Sequence, residues 1–176
     1  MNEPMRLLRH SASDLVDKGV LHERLEHLLA NGLTVVEGCS YFSDELDQNP
    51  HLSREQMGAL EHQSLVNKLH LEDYWDSATA TSWDAWCVAQ GVLLGRGVLA
   101  KAERLTPLPI DVVVTVHEGG ALPPYADTLS VSFGPDSGDV SEPSSTFRSY
   151  VHRDGQCWID DDAIYSKRDA VMILRR

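Results

Sequence analysis

Residues 82–105, SWDAWCVAQGVLLGRGVLAKAERL, form the most apolar stretch of the chain and decide where its core lies. Asp84 follows Thr81 by three positions, a spacing that marks a helix start. On a helical projection, one apolar stripe consists of Trp83, Trp86, Cys87, Leu94 and Val98. Further apolar residues lie off this stripe, at Val88, Val92 and Leu99. Because apolar side chains nearly encircle the segment, we expect it to be a buried central helix.

Three glycines, Gly91, Gly95 and Gly97, lie inside this predicted helix. Each weakens a helix by up to about 1 kcal/mol relative to alanine. Two explanations are open. Either the backbone packs closely against neighbouring elements, or the helix breaks near Gly95.

Two amphipathic helices are predicted before the central one. In residues 13–33, SDLVDKGVLHERLEHLLANGL, Ser13 is the expected N-cap and Asn31–Gly32 the expected end. The apolar stripe of that helix consists of Leu21, Leu25, Leu28 and Leu29. In residues 49–71, Ser53 and Gln56 form a capping box, so a helix should begin at Arg54.

After the central helix the apolar pattern changes to a period of two, which is typical of strands. The predicted strands are IDVVVTVH (110–117), TLSVSF (128–133), TFRSYVH (146–152), QCWI (156–159) and AVMILR (170–175). The third and fourth form a hairpin that turns at Asp154–Gly155. The segment GPDSGDVSEPSS, residues 134–145, is acidic and rich in turn residues, and is predicted to be a surface loop.

These elements predict an α+β fold, with about three principal helices packed on an antiparallel sheet of four to five strands. A chain of 176 residues is expected to be a single domain. Within residues 1–176, residues 1–105 should be mainly helical and residues 106–176 mainly strand.

The net charge of −12 restricts the classes of partner. Binding to nucleic acid and to anionic membranes relies on clustered Lys and Arg, so we expect neither direct nucleic-acid binding nor membrane binding. The charge favours a basic protein partner, or serves only solubility. The first fifteen residues lack the apolar core and cleavage pattern of a secretory signal, so a cytoplasmic location is expected.

Histidine spacing argues against a metal site. HERLEH, residues 22–27, resembles the zinc motif H-E-x-x-H, in which the histidines are four positions apart. His22 and His27 are five apart, roughly 140° around a helix, so one ion does not suit both. His117 and His152 each end a predicted strand and would approach each other if those strands pair. We predict no metal site and no cofactor.

Cys39, Cys87 and Cys157 are odd in number and widely spaced, which is typical of free thiols rather than a disulfide framework. A cysteine–histidine hydrolase stays an alternative, because its catalytic residues meet in space rather than in sequence. Its nucleophile would be Cys39, whose polar neighbours suggest exposure.

The three consecutive aspartates Asp160, Asp161 and Asp162 do not alternate as the ligands of a calcium loop do. They either begin a helix, where carboxylates favour the N-terminal end, or contact a basic partner. Acidic residues also concentrate in the segments 37–47, 72–84 and 111–142. Aromatic residues in or beside these segments are Tyr41, Phe42, Tyr74, Trp75 and Tyr125.

Aromatic rings beside carboxylates suit an interface that attracts a basic protein and anchors it through a few buried rings. The candidate partner-binding residues are Asp136, Asp139, Asp160, Asp161, Asp162, Tyr74 and Trp75. Alternatively, the rings fill the core beneath loops, a role that Trp75 suits equally well.

Three functions follow from this pattern. The first is an acidic intracellular binding protein that neutralises or regulates a basic protein, as an immunity protein, inhibitor or nucleic-acid mimic does. The second is a small hydrolase whose site is assembled across helices and sheet, through Cys39 or the pair His117 and His152. The third is a subunit or adaptor that completes the core of another protein. The oligomeric state is left open.

Overall fold

The computed structural model describes residues 1, 3–52, 54–75, 82–117, 120–121, 140–141, 144–151 and 170–175. Its helices are α1 (Glu3–Ser11), α2 (Ser13–Lys18), α3 (Glu23–Asn31), α4 (Ser43–Gln48), α5 (Arg54–Met57), α6 (Ala59–Val66) and α7 (Trp83–Ala102), with a 3₁₀ turn at Leu71–Tyr74. Its strands are β1 (Leu33–Val36), β2 (Cys39–Phe42), β3 (Leu69–His70), β4 (Ile110–His117), β5 (Gly120–Ala121), β6 (Val140–Ser141), β7 (Ser144–Val151) and β8 (Ala170–Arg175).

The largest sheet has the strand order β3-β7-β4-β8, and every pairing in it is antiparallel. Strand β4 lies inside the sheet, where Val114 pairs with Phe147 of β7 and with Met172 of β8. Strands β1 and β2 form a separate antiparallel hairpin, and β5 pairs with β6. The mixed α+β class and the antiparallel sheet are therefore as predicted, but the helices are shorter and more numerous than the three expected.

Helix α7 is the central helix that the sequence predicts, and its buried residues lie on all sides. It runs without a break through Gly91 and Gly95. A β-carbon added at Gly91 would lie 2.6 Å from Val114 Cγ1, and one at Gly95 would lie 2.7 Å from Leu174 Cδ1. These glycines therefore serve close packing of the helix on β4 and β8, which was the first of the two explanations.

The single helix predicted from Ser13 is wrong, because the chain turns at Gly19. Gly19 has a left-handed conformation with φ of 66° and ends α2. The link to α3 is held by buried Gln90 of α7, which donates to the Val20 carbonyl (3.1 Å) and accepts from the His22 amide (2.7 Å). The predicted end at Asn31–Gly32 and the buried face of Leu25 and Leu28 are confirmed.

The second predicted helix begins at Arg54 as expected, but α5 ends at Met57 because Gly58 has a φ of 83°.

The predicted surface loop 134–145 is wrong at its C-terminal end, where β6 forms and β7 begins at Ser144. The predicted strands 128–133 and 156–159 and the turn Asp154–Gly155 lie outside the described residues.

Sequence patterns missed the hairpin of β1 and β2. Its connection is a two-residue turn in which Glu37 and Gly38 have φ values of 49° and 75°. Two positive φ values are typical of the type I′ hairpin turn, which usually contains Asn-Gly rather than Glu-Gly. Asn67, after α6, fixes the hairpin to the main sheet, since its side-chain amide donates to the carbonyls of Ser40 and Ser149.

Helix α1 lies against α7 and β8, so an N-terminal element packs on a C-terminal one. Its Met5 side chain is fully buried. None of the helices in the described part of the chain has both the length and the apolar character that crossing a membrane requires. The assignment of the chain to one domain stays a prediction.

Candidate functional site

Two of the predicted partner-binding residues, Tyr74 and Trp75, lie at the end of the 3₁₀ turn. The other five, Asp136, Asp139, Asp160, Asp161 and Asp162, lie outside the described residues. The site is therefore built from Tyr74 and from the acidic residues that the fold brings to it.

Tyr74 is half-buried and its ring contacts the start of α3. The Arg24 guanidinium carbon lies 4.8 Å from the centre of the ring, a cation–π arrangement. The His22 ring meets Tyr74 edge to face at 5.8 Å, and His22 in turn meets Trp86 of α7 at 6.0 Å. The contacts with His22 and Arg24 therefore hold the Tyr74 ring against the start of α3.

Acidic residues from two separate segments affect the pKa of Tyr74. Burial raises the pKa of Tyr74, Glu45 and Asp73 raise it further, and Arg24 lowers it. Helix α4 packs against α3, and its Glu45 affects the pKa of Tyr74 although the two residues are distant in sequence. We call Asp44, Glu45, Asp73 and Tyr74 the acidic patch.

Within the acidic patch, Asp44 and Glu45 repel each other. Partial burial raises the pKa of Glu45, and the neighbouring Asp44 carboxylate raises it as well. Asp44 is held in place by Asn31 of α3, whose Nδ2 donates to Asp44 Oδ2 at 2.6 Å. The fold thus holds two carboxylates close together, and a cation bound beside them would relieve the repulsion.

Trp75 and Tyr74 are both partly buried, and both pack against the hydrophobic core. The Nε1 of Trp75 is the buried side-chain polar atom that lacks a hydrogen-bond partner among the described residues. Core packing is the alternative that the sequence left open for Trp75. Because the indole Nε1 of Trp75 is buried, Tyr74 is the better candidate for an interface residue.

Glu72, in the same acidic segment, has a structural role. One of its oxygens accepts hydrogen bonds from the Ser145 amide (2.9 Å) and hydroxyl (2.6 Å), and the other meets His70 Nδ1 at 3.1 Å. Burial raises the pKa of Glu72, but these hydrogen bonds outweigh it and the net shift is downward. The glutamate links the 3₁₀ turn to β7. It separates Ser145 from His70, so the three do not form a serine–histidine–acid triad.

The thiols that the structure describes are poorly placed for catalysis. Cys39, expected to be exposed, is fully buried in β2, because all four residues of this strand face other elements. Tyr41 and Phe42, the aromatic residues of the acidic segment 37–47, are buried in the same strand. Burial raises the pKa of Cys87 to about 12, so its thiol is protonated at neutral pH.

The histidines described by the structure serve local contacts. The His22 side chain accepts a hydrogen bond from the Arg24 amide at the start of α3. Buried His62 lies between the Tyr41 hydroxyl and the Leu52 carbonyl. No group of three or more His, Cys, Asp or Glu that could hold a metal ion occurs among the described residues. His117 ends β4, and His152 lies outside the described residues.

A cleft of about 600 Å³ adjoins helix α4. Its lining residues are Val36, Glu37, Tyr41, Leu46, Asn49, Pro50, Leu52, Glu55 and His62. The sequence pointed to Glu37 as part of an acidic segment, but it gave no sign of His62 or Glu55. Those two line the same cleft as Glu37 because the hairpin of β1 and β2, which the patterns missed, packs against α6, and α6 in turn contacts α5.

Comparisons with protein-family models, with curated proteins and with solved structures give no match for this chain. A function is therefore inferred from the acidic patch and the charge of the whole chain.

Proposed function

We propose that this protein is an acidic binding protein that neutralises or regulates a basic protein partner, as an immunity protein, an inhibitor or a nucleic-acid mimic does. The observation that carries the proposal is the acidic patch. Glu45 and Asp73 come from different acidic segments, yet both act on the half-exposed ring of Tyr74.

The chemistry of the patch suits a Lys- or Arg-rich surface. A partner cation near Asp44 and Glu45 would lower the electrostatic energy of two carboxylates that repel each other. The Tyr74 ring offers apolar contact area, and Tyr is frequent among the residues that dominate binding energy at interfaces. The net charge of −12 would speed the encounter with a basic protein at low salt.

The aspartates at 136, 139 and 160–162 extend the proposal to a wider acidic surface. Asp160, Asp161 and Asp162 would contact the same partner, or would begin a helix instead. Replacing all three by Asn separates these roles, since the first predicts weaker binding and the second predicts lower stability with binding unchanged.

The hydrolase alternative has less support. The Cys39 side chain is buried, and the raised pKa of Cys87 keeps that thiol protonated at neutral pH. The pairing of His117 with His152 stays a prediction.

The proposal is tested by affinity capture from a lysate of the native host at low salt. Three immobilised proteins are compared: the wild type, the variant Glu45→Gln/Asp73→Asn, and the control Asp14→Asn/Asp17→Asn. Both variants lose two negative charges, and Asp14 and Asp17 are exposed residues of α2.

We expect a basic protein that the wild type and the control retain, that salt releases, and that the patch variant loses. Mass spectrometry identifies it, and calorimetry with the purified pair should show a loss of at least tenfold in affinity for the patch variant. Retention of the same proteins by all three matrices would contradict a role for the acidic patch.

A further inference from the structure

Three side chains form a chain of hydrogen bonds that ends at the acidic patch. Asn31 Nδ2, at the end of α3, donates to Asp44 Oδ2 at 2.6 Å and lies 3.1 Å from His27 Nδ1. Asp44 belongs to α4 and to the acidic patch, and His27 and Asn31 are about one turn apart on α3. A single amide nitrogen therefore connects a histidine, which can gain a proton, with a carboxylate of the proposed interface.

These hydrogen bonds determine which nitrogen of His27 carries the proton. An ionised carboxylate only accepts, so the Asn31 atom that faces Asp44 is the amide nitrogen and not the amide oxygen. The same nitrogen can only donate, so His27 Nδ1 accepts from it and carries no proton. The arrangement is therefore that of a neutral His27 ring with its proton on Nε2.

The surroundings of His27 are mainly acidic. Helix α3 packs against α4, α7 and β2. Leu29 contacts Gly97 of α7 and lies roughly 160° from His27 around α3, so α7 and its charged residues lie on the opposite face. The titratable and charged residues on the other described elements are Glu23, Arg24 and Glu26 of α3, Asp44, Glu45 and Asp47 of α4, and buried Cys39 and Tyr41 of β2.

We propose that His27 makes the acidic patch sensitive to pH by acting through Asn31 on Asp44. A proton added at Nδ1 turns this nitrogen into a donor, which then faces the donor Nδ2 of Asn31 at 3.1 Å. Rotation of the Asn31 amide restores a hydrogen bond to His27, but it places Oδ1 against the Asp44 carboxylate. Protonation of His27 therefore releases Asp44 from α3.

This inference rests on the proposed function, because it concerns the affinity of the same patch for a basic partner. In acid, Asp44 loses the hydrogen bond that holds it, and His27 adds a positive charge close to this carboxylate. Both changes weaken the attraction of a Lys- or Arg-rich surface. By linkage, a bound cationic partner favours the neutral ring, so binding should release a proton in the range where histidine titrates, about pH 5 to 8.

The first experiment follows the side-chain amide of Asn31 by NMR between about pH 5 and pH 8, in the protein without a partner. The Asn31 Nδ2 resonance should shift with the same midpoint as the His27 ring. It should stay constant in His27→Asn, whose amide oxygen accepts in place of Nδ1 and does not titrate. His10→Asn, at an exposed histidine of α1, is the matched control and should behave as the wild type does.

The second experiment measures the affinity for a fluorescently labelled peptide of eight arginines, whose charge is constant over this pH range. Fluorescence anisotropy at low salt compares the wild type, His27→Asn and His10→Asn. Between about pH 7.5 and pH 5.5 the wild type and His10→Asn should lose about fivefold more affinity than His27→Asn loses. The three proteins should agree within about twofold at the upper pH, where the ring is neutral.

An Asn31 resonance that does not titrate, or that titrates equally in His27→Asn, would overturn the proposal, because His27 would then gain its proton without moving Asn31. An equal pH dependence of peptide affinity in the wild type and His27→Asn would overturn it as well. In both cases the proposed function stands if Glu45→Gln/Asp73→Asn weakens peptide binding in the neutral range. If that variant binds the peptide as tightly as the wild type, the acidic patch itself is overturned.

Discussion

Asp111 and Arg175 form an ion pair with two hydrogen bonds across β4 and β8. Arg175 Nε lies 2.6 Å from Asp111 Oδ1, and Arg175 Nη2 lies 2.9 Å from Asp111 Oδ2. The two residues are direct partners in the strand register. The Asp111 side chain is fully buried, whereas that of Arg175 is 53% exposed. The pair therefore neutralises a buried carboxylate and fixes the position of β8.

Replacing Arg175 by Met should lower the free energy of unfolding by about 3 kcal/mol, because the Asp111 carboxylate keeps its burial and loses this cation. Urea denaturation measures the change. Arg96→Met, at an exposed arginine of α7, is the control and should cost less than about 0.5 kcal/mol. Equal effects of the two substitutions would show that the ion pair contributes little.

Gly91→Ala should destabilise the protein by about 1–3 kcal/mol, although alanine favours a helix, because the added carbon would overlap Val114 Cγ1. The variant Gly91→Ala/Val114→Ala makes room for that carbon. Its loss of stability should be smaller than the sum of the two single losses. Simple additivity in thermal unfolding would argue that the helix and β4 do not meet at this point.

Glu72 and Glu45 should affect stability in opposite directions as pH changes. The pKa of Glu72 is lower in the folded protein than in the unfolded chain, so its ionised carboxylate stabilises the fold. This stabilisation is present above about pH 4.5 and is lost as the pH falls through the pKa of the folded state. Glu72→Gln should therefore be less stable than the wild type at pH 7, and the difference should shrink in acid. Urea midpoints between pH 3 and pH 7 measure it.

The pKa of Glu45 is higher in the folded protein than in the unfolded chain, so its ionised carboxylate destabilises the fold. This destabilisation grows as the pH rises through the pKa of the unfolded state. Glu45→Gln should be more stable than the wild type at pH 7 and should lose this gain in acid. We also expect the variant to bind the basic partner more weakly. A variant that loses both stability and binding would indicate that Glu45 is structural rather than an interface residue.

In the variant Cys157→Ser, the thiols of Cys39 and Cys87 should resist iodoacetamide at pH 8 while the protein is folded. Both side chains are buried, and the pKa of Cys87 is about 12, so reactive thiolate is scarce. Mass spectrometry should show two labels only after denaturation. Rapid labelling of Cys39 in the folded protein would revive the thiol hydrolase alternative.

The sequence was most informative where a pattern is long. Helix α7 and the strands 110–117 and 170–175 were predicted correctly. In each of them a long pattern of apolar residues indicates which face is buried. Gly19 and Gly58 were missed as breaks, because a helical pattern continues across both of them and only a left-handed or unusual backbone reveals the turn. The hairpin turn at Glu37 lacks the usual Asn-Gly signal.

The site was predictable only in part. Clustering of carboxylates with Tyr74 was visible along the chain, but the electrostatic effect of Glu45 on that residue depends on how α4 packs beside α3. The cleft depends on tertiary packing alone, since its two rim glutamates come from a hairpin turn and from α5. Local periodicity carries no information about such contacts.

The packing of α1 on β8 has a consequence for synthesis on the ribosome. Residues 3–11 are synthesised early, and one of their packing partners, residues 170–175, is made more than 150 residues later. Until then Met5 and its neighbours lack part of the surface that buries them, and the nascent chain offers that apolar helix face to chaperones. The burial of α1 is therefore completed only after β8 has been synthesised.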